Sequence, residues 1–467
     1  MNFNISTIIF IIVSLILFLA VPKRAKKPVM LIMSLLFCFC LDHAALIMLV
    51  AITALTFAAG LMLEKIKEED SKKYLFTAVI SFFILNLLFW KGHPLIKTAG
   101  QDLILPVGLS FYTFQAISYL SDIMTGKQKA ERNAITFGLY MTWFPKLVSG
   151  PIERAGSFLP ETENALKVRL FDDSRVIRAL SYIIWGLFMK LMIADRAGIM
   201  VNVFFEAPSS FPALYLLAGS LLYTLQIYCD FAGYTNIMIG ISVLFGIGLT
   251  QNFKTPYFSE NISDFWRRWH ITLSTFLKDY IYIPLGGNRK GNIRKYINIL
   301  AVFLVSGIWH GKGGGFIIWG LIHGVCSVLE SLVKNTRFKF LIRGVIGRII
   351  TFCVVSFAWI FFRAGSLKDS MTYITCMFGS KGTAEGMLKL SSEPGFEMLQ
   401  ICILLISVLI LFAADLISYR KETLVPEIII KTGEIRRDTV FLILAVCVLI
   451  FGVYGDSSIG TFIYMDF

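Results

Sequence analysis

The sequence predicts an all-α polytopic integral membrane protein, with about eleven membrane-crossing helices plus re-entrant or interfacial ones. Two observations carry that expectation. Hydrophobic residues make up 56% of the chain and charged ones only 16%, with a mean hydropathy of +0.71, whereas soluble domains carry about a quarter charged residues. The apolar residues also fall in runs long enough to cross a bilayer, and the basic residues sit in short clusters between them, where they set topology. The net charge of +13 is therefore read as positive-inside patterning, and nucleic acid is not an expected partner. The 8 cysteines lie mostly inside apolar runs without metal-ligand spacing and read as small core residues.

Residues 4 to 20 form the first apolar run, with no positive residue before it and Pro22-Lys23-Arg24-Ala25-Lys26-Lys27 directly after. A signal peptide carries its charge in front, so a retained helix is expected, with its N-terminus outside the cell membrane and the basic cluster in the cytoplasm. Spans follow at about 29 to 41, 44 to 63 and 74 to 90, divided by the turn Asp42-His43 and the mixed-charge loop Glu64 to Lys73. His43 and His93 read as interface residues. From Leu105 to Gln115 the apolar stretch is studded with Pro, Gly, Ser, Thr and Gln, which fits a helix packed inside the protein against a polar cavity. Loop 121 to 133 is placed in the cytoplasm. Trp143 to Arg154 carries two prolines and several charges and reads as a re-entrant or interfacial segment, followed by a polar tail to Arg175.

Further spans are expected at about 176 to 194, 212 to 229 and 235 to 250. Asp230, between the last two, is either a cavity acid or the mark of an interfacial turn, and the two runs could be one kinked helix. Next, Ser263 or Asp264 can cap a helix that carries on through Leu277, Asp279 and Tyr280 to Tyr282. On that helix Trp266, His270 and Ser274 share one face, while Arg267 and Arg268 lie off it. An interfacial helix with headgroup-level tryptophans and snorkelling arginines explains the same pattern. The remaining spans are 296 to 310, 315 to 333 with Trp319 and His323 one turn apart, 344 to 362, 399 to 418 and 438 to 454. Loop 363 to 398 is placed outside and the charged loop 419 to 437 inside.

Chemistry is most expected in Ser306-Gly307-Ile308-Trp309-His310-Gly311, which closes the apolar run from Ile299 to Val305. An imidazole in hydrocarbon loses its water hydrogen bonds, so His310 is either a functional group at a wet cavity or a packed histidine bonded to a backbone carbonyl. Gly307 and Gly311 stand four apart and admit another helix, and Gly313 to Gly315 disfavour continuation of this one. A base at membrane depth, with a basic and aromatic cytoplasmic mouth around His270, suits transfer from an intracellular anionic carrier to a hydroxyl outside. There is no Gly-x-Ser-x-Gly elbow, His-Glu-x-x-His, Walker loop or dinucleotide fingerprint, so hydrolase, zinc protease and ATPase readings lack support. His270, His310 and His323 have no close-spaced ligand pair or acidic partner, so neither a metal nor a tightly bound cofactor is expected.

Several motifs in fixed order resemble the membrane-bound O-acyltransferases, in particular the bacterial branch that O-acetylates alginate and related polysaccharides. They are Leu105-Pro106-Val107-Gly108-Leu109-Ser110-Phe111-Tyr112-Thr113-Phe114-Gln115, Phe144-Pro145-Lys146-Leu147-Val148-Ser149-Gly150-Pro151-Ile152, Asp230-Phe231-Ala232-Gly233-Tyr234, Asn261 through Trp269-His270 to Gly287, and Gly307-Ile308-Trp309-His310-Gly311. The similarity runs from about Leu105 to the C-terminus. D-alanyl-transfer proteins of teichoic-acid modification share the Trp-His and Asp-Phe-x-Gly-Tyr patterns, but Tyr282 to Arg289 looks more like the polysaccharide branch. The tail Phe462-Ile463-Tyr464-Met465-Asp466-Phe467 departs from the pattern, with Asp466 where Gln is expected.

The resemblance implies one domain over 1–467, with N-terminal helices 1–100, a catalytic core 101–340 and C-terminal helices 341–467, around a central funnel or tunnel. It implies that His310 is catalytic and His270 a second active-site residue. Trp309, Asp230, Tyr234, Trp266, Arg267, Arg268, Trp269, Ser274, Asp279 and Tyr280 are expected to line the substrate or donor channel. The expected reaction takes acetyl from a cytoplasmic thioester, acetyl-CoA, and delivers it to an extracytoplasmic glycan or an acetyl-accepting partner protein, with His310 as general base. D-alanyl transfer and a non-enzymatic transporter or flippase are the alternatives. Arg267, Arg268, Lys278, Arg289 and Lys290 either attract the anionic donor to a membrane mouth or serve only positive-inside retention.

Overall fold

A computed structural model describes residues 5–92, 105–169, 172–393 and 395–454; His93 and the tail Phe462 to Phe467 lie outside the described residues. Among those described, the regular structure is helical apart from one isolated bridge between Pro212 and Lys381. Among the described residues seven helices are long and apolar enough to cross a membrane: His43–Lys65, Glu69–Trp90, Asp173–Glu206, Ala213–Leu244, Gly314–Val333, Gly344–Ala364 and Met398–Lys421. The chain forms two compact units, one from Met1–Ile183 and Met238–Gln251, the other from Ile184–Ile237 and Asn252–Ile463.

In the first unit the turn at Asp42 is a helix cap, its carboxylate accepting from the Ala44 N–H at 2.9 Å to start His43–Lys65. The helix Leu109–Met124 follows Gly108, whose φ of +76° is left-handed. A Cβ there would collide with the Leu147 carbonyl, so the first two resemblance motifs pack on each other through this glycine. Lys146 is 1% exposed, and its Nζ donates to the Tyr140 carbonyl at 2.5 Å, which also accepts from Gln115 Nε2 at 3.3 Å. Glu153, equally buried, accepts from Thr250 N and Oγ1 at 2.6 and 2.9 Å. Buried charges held this way are structural fasteners for the bend around Pro145 and Pro151. The polar tail before Arg175 contains the helix Ala155–Ala165.

Several expected boundaries are corrected. The runs 212 to 229 and 235 to 250 are one helix, Ala213–Leu244, so Asp230 marks no turn. The expected span 176 to 194 lengthens to Asp173–Glu206, with a π-helical stretch Phe188–Ala194 inside it. Loop 363 to 398 holds two helices, Leu367–Gly379 and Ala384–Ser392; the first is started by Ser366 Oγ accepting from the Asp369 N–H at 3.0 Å. In the second unit Gly291–His310 and Gly314–Val333 make a tight helical hairpin. A Cβ on Gly307 would lie 2.5 Å from the Phe316 carbonyl, and one on Gly320 would strike that of Phe303. The small residues bring backbones together as expected, and the first helix ends at His310.

Candidate functional site

The expected single helix from Ser263 to Tyr282 is broken at its histidine. Asn261, rather than Ser263 or Asp264, caps Ile262–Arg268, its Oδ1 accepting from the Asp264 N–H at 2.9 Å. The chain then turns through Trp269 and His270, where φ is +41°, and restarts as Ile271–Leu277 before a π-helical stretch Lys278–Tyr282. Asn252 anchors the restart: its carbonyl accepts from the Ile271 N–H at 3.0 Å, and its Oδ1 accepts from Thr272 N and Oγ1 at 3.1 and 2.7 Å. Left-handed backbone costs a non-glycine residue about 1–2 kcal/mol, so this tertiary anchor holds His270 in a conformation its own preference opposes. Trp266, His270 and Ser274 consequently do not share a helical face.

His270 is fully buried, its ring edge-on to Phe231 at a centroid distance of 4.8 Å. Burial pushes its pKa down to about 3, because a charged imidazole would lose its hydration there. The ring is therefore neutral at physiological pH and a weak proton acceptor.

From His270 a row of alternating imidazole and indole rings runs through the second unit. Trp309 lies 6.3 Å from His270 and 4.7 Å from His310. Trp319 follows His310 at 5.0 Å, His323 follows Trp319 at 5.2 Å, and Trp266 follows His323 at 5.2 Å. Every ring in the row is less than a tenth exposed. Phe362 closes one side of His310 at 5.1 Å, and Trp359 stacks on Trp319 at 5.7 Å and touches Trp269 at 5.0 Å. The hairpin explains the proximity: His310 ends one of its helices, and Trp319 and His323 stand one turn apart on the other.

Of the channel residues expected from sequence, Trp309, Trp266 and Trp269 join His270 and His310 in this cluster. Asp230 has another role. Its Oδ1 lies 2.6 Å from Lys190 Nζ, which also meets Asp195 Oδ1 at 2.8 Å, and all three side chains are nearly fully buried. The helices meet here because Gly186 and Gly233 are small; a Cβ on Gly186 would lie 2.5 Å from the Gly233 carbonyl. Tyr234 is buried on the same helix. Arg268 is held by Asp264 at 3.1 Å and lies over the Tyr419 ring, whereas Arg267 is mostly exposed. Ser274 Oγ donates back to the Trp269 carbonyl at 3.2 Å, Tyr280 packs on Phe276 at 5.0 Å, and Asp279 is half-buried.

Sequence reasoning missed Lys190, Asp195, Asp415 and the part played by His323, Trp319 and Trp359. Ionisable residues inside apolar runs were the available signal. Asp415, within Met398–Lys421, accepts from the Tyr228 hydroxyl at 2.9 Å. Among the described residues no group of three metal-ligating side chains gathers.

A family model described as the membrane-bound O-acyltransferase family matches residues 29–368; the match begins before Leu105, takes in the helix Gly344–Ala364 and ends ahead of Met398–Lys421. The chain is 39% identical over 332 residues to the peptidoglycan O-acetyltransferase of Helicobacter pylori, covering 65% of this chain and 62% of that one. It is 36% identical over 310 residues to a probable alginate O-acetylase of Pseudomonas syringae, covering 66% and 57%. It is 27% identical over 304 residues to the teichoic acid D-alanyltransferase of Bacillus subtilis, covering 61% and 75%. The match thus spans about six-tenths of the first two relatives.

Proposed function

Because the chain belongs to the membrane-bound O-acyltransferase family, we propose that it transfers an acetyl group from a cytoplasmic thioester, acetyl-CoA, to a hydroxyl of an extracytoplasmic polysaccharide or of a partner protein that passes the group on. The observation that carries this reading is the burial of His310 and His270 on either side of Trp309 within one aromatic wall. In the reaction the acceptor hydroxyl oxygen adds to the thioester carbonyl carbon while His310 removes its proton. The intermediate collapses, the carbon–sulfur bond breaks, and the CoA thiolate leaves with the proton from His310. His270, kept neutral by burial, orients the reacting groups without carrying charge, and the indoles exclude water that would hydrolyse the thioester.

On this reading about eleven crossings surround a funnel in the cytoplasmic membrane, with the N-terminus outside and the mouth around Arg267 in the cytoplasm. The peptidoglycan and alginate O-acetylating relatives are more similar than the D-alanyl-transferring one, which favours acetyl over D-alanyl.

The test is His310→Ala in inverted membrane vesicles that enclose the acceptor glycan and periplasmic extract in their lumen and receive radiolabelled acetyl-CoA from outside, at the exposed cytoplasmic face. Loss of a general base lowers the rate by about two to four orders of magnitude. Normal insertion with undiminished label transfer refutes the mechanism. An alanyl rather than acetyl mass increment on the native polymer refutes the donor assignment, and glycan translocation without label transfer favours a flippase.

A further inference from the structure

Hydrogen bonding determines the protonation pattern of His323. The Trp266 indole Nε1–H donates to His323 Nδ1 at 3.3 Å, and an indole nitrogen can only donate. Nδ1 is therefore the acceptor, and the proton of the neutral ring sits on Nε2. His323 is fully buried, and among the described residues Nε2 has no hydrogen-bond partner. The neighbouring Trp319 and Trp359 are also fully buried, and their Nε1–H groups likewise find no acceptor among the described residues. Buried donors left unmet are rare because each forfeits its water bond. Three around one wall beside His310 describe a site for an oxygen that accepts hydrogen bonds.

Acyl transfer supplies such an oxygen. As the acceptor hydroxyl adds to the thioester, the carbonyl electron pair moves onto oxygen, and a fixed N–H aimed at that charge stabilises the transition state more than the ground state. Resting on the acyl-transfer reading, we infer that His323 Nε2–H binds the carbonyl oxygen of the acyl thioester, and that Trp266 is a positioning residue holding His323 in the tautomer that can do so. The His323 proton stays on Nε2 throughout; the transferred proton is the acceptor hydroxyl's, taken by His310. Trp319, whose ring lies between those of His310 and His323 at 5.0 and 5.2 Å, separates the base from the donor. Three buried carboxylates of the second unit are already engaged, Asp230 and Asp195 with Lys190 and Asp415 with Tyr228.

The experiment uses the full chain in lipid nanodiscs with nitrogen-15-labelled histidine, the His323 signals being assigned by their loss in His323→Gln. The expected spectrum shows an Nε2-protonated, Nδ1-acceptor ring, and Trp266→Phe mixes the tautomers. Addition of acetonyl-CoA, a ketone analogue that keeps the carbonyl and cannot be cleaved, moves the Nε2–H resonance. In turnover, His323→Phe lowers kcat about 100- to 1,000-fold with a smaller change in KM, and His323→Gln, which keeps a donor, recovers part of the loss. A ring protonated on Nδ1, an Nε2–H signal unmoved by acetonyl-CoA, or a wild-type kcat in His323→Phe overturns the inference. The tautomer and analogue measurements require no turnover, so they stand apart from the outcome of His310→Ala, which judges the acyl-transfer reading itself.

Discussion

Replacing Lys190 with Met probes the buried charge cluster that sequence reasoning half saw. Its ammonium serves two carboxylates, Asp195 at 2.8 Å and Asp230 at 2.6 Å, and the side chains are 5%, 7% and 3% exposed. Lys190→Met keeps the packed stem and removes the only positive charge among the three, leaving two carboxylates that must stay charged without a counter-ion or take up protons. Breaking a buried ion pair by removing one partner costs about 3–5 kcal/mol. Asp230→Asn is milder, because Lys190 and Asp195 remain a balanced pair and the amide oxygen still accepts; about 1–2 kcal/mol is expected. The triple variant Lys190→Met, Asp195→Leu, Asp230→Leu should recover much of the loss, since apolar groups of similar volume often replace buried ion pairs without net cost. Unfolding of the purified protein by SDS in mixed micelles measures all three. Equal stability of Lys190→Met and Asp230→Asn refutes the role of Lys190 as counter-ion, and no recovery in the triple variant refutes the electrostatic account.

His270→Gly is expected to be more stable than His270→Ala by about 1 kcal/mol, because glycine accepts the left-handed backbone that alanine resists; equal SDS midpoints count against strain at this residue. Since burial holds the His270 pKa near 3, the unfolded chain binds a proton there that the folded one refuses. Its contribution is thus fully present above pH 6.5 and is lost progressively as pH falls from there toward 3. His270→Asn should flatten the stability–pH profile in that window, and an unchanged profile contradicts the assignment. Arg267→Gln should raise the acetyl-CoA concentration for half-maximal transfer in a salt-sensitive way, as a solvent-facing cation does. Arg268→Gln should act on stability instead, through Asp264 and Tyr419, and a reversed pattern removes Arg267 from the donor mouth.

Much of the architecture was legible from apolar runs. The seven long helices fall on segments expected to span, and the hairpin turn after His310 follows from the glycines beside it. Asp42 divides two helices because its short carboxylate caps the second through a bond two residues away, a local signal. Asp230 shows the opposite case. An acid flanked by two apolar runs reads equally well as a turn, and Lys190, forty positions earlier, helps make a continuous helix tolerable at that point.

His270 was recognisable as a candidate by type and neighbours, but its left-handed backbone depends on Asn252 gripping Ile271 and Thr272, which helical periodicity cannot reveal. By itself the sequence determined the membrane class, the helices and the histidines worth attention, because hydropathy, caps and glycines act on near neighbours. Tertiary structure alone decided which polar group answers which: Lys190 with Asp230 and Asp195, Tyr228 with Asp415, Trp266 with His323. In surroundings poor in water each buried donor or charge must find its partner within the protein, and those partners are brought by helices distant in the chain.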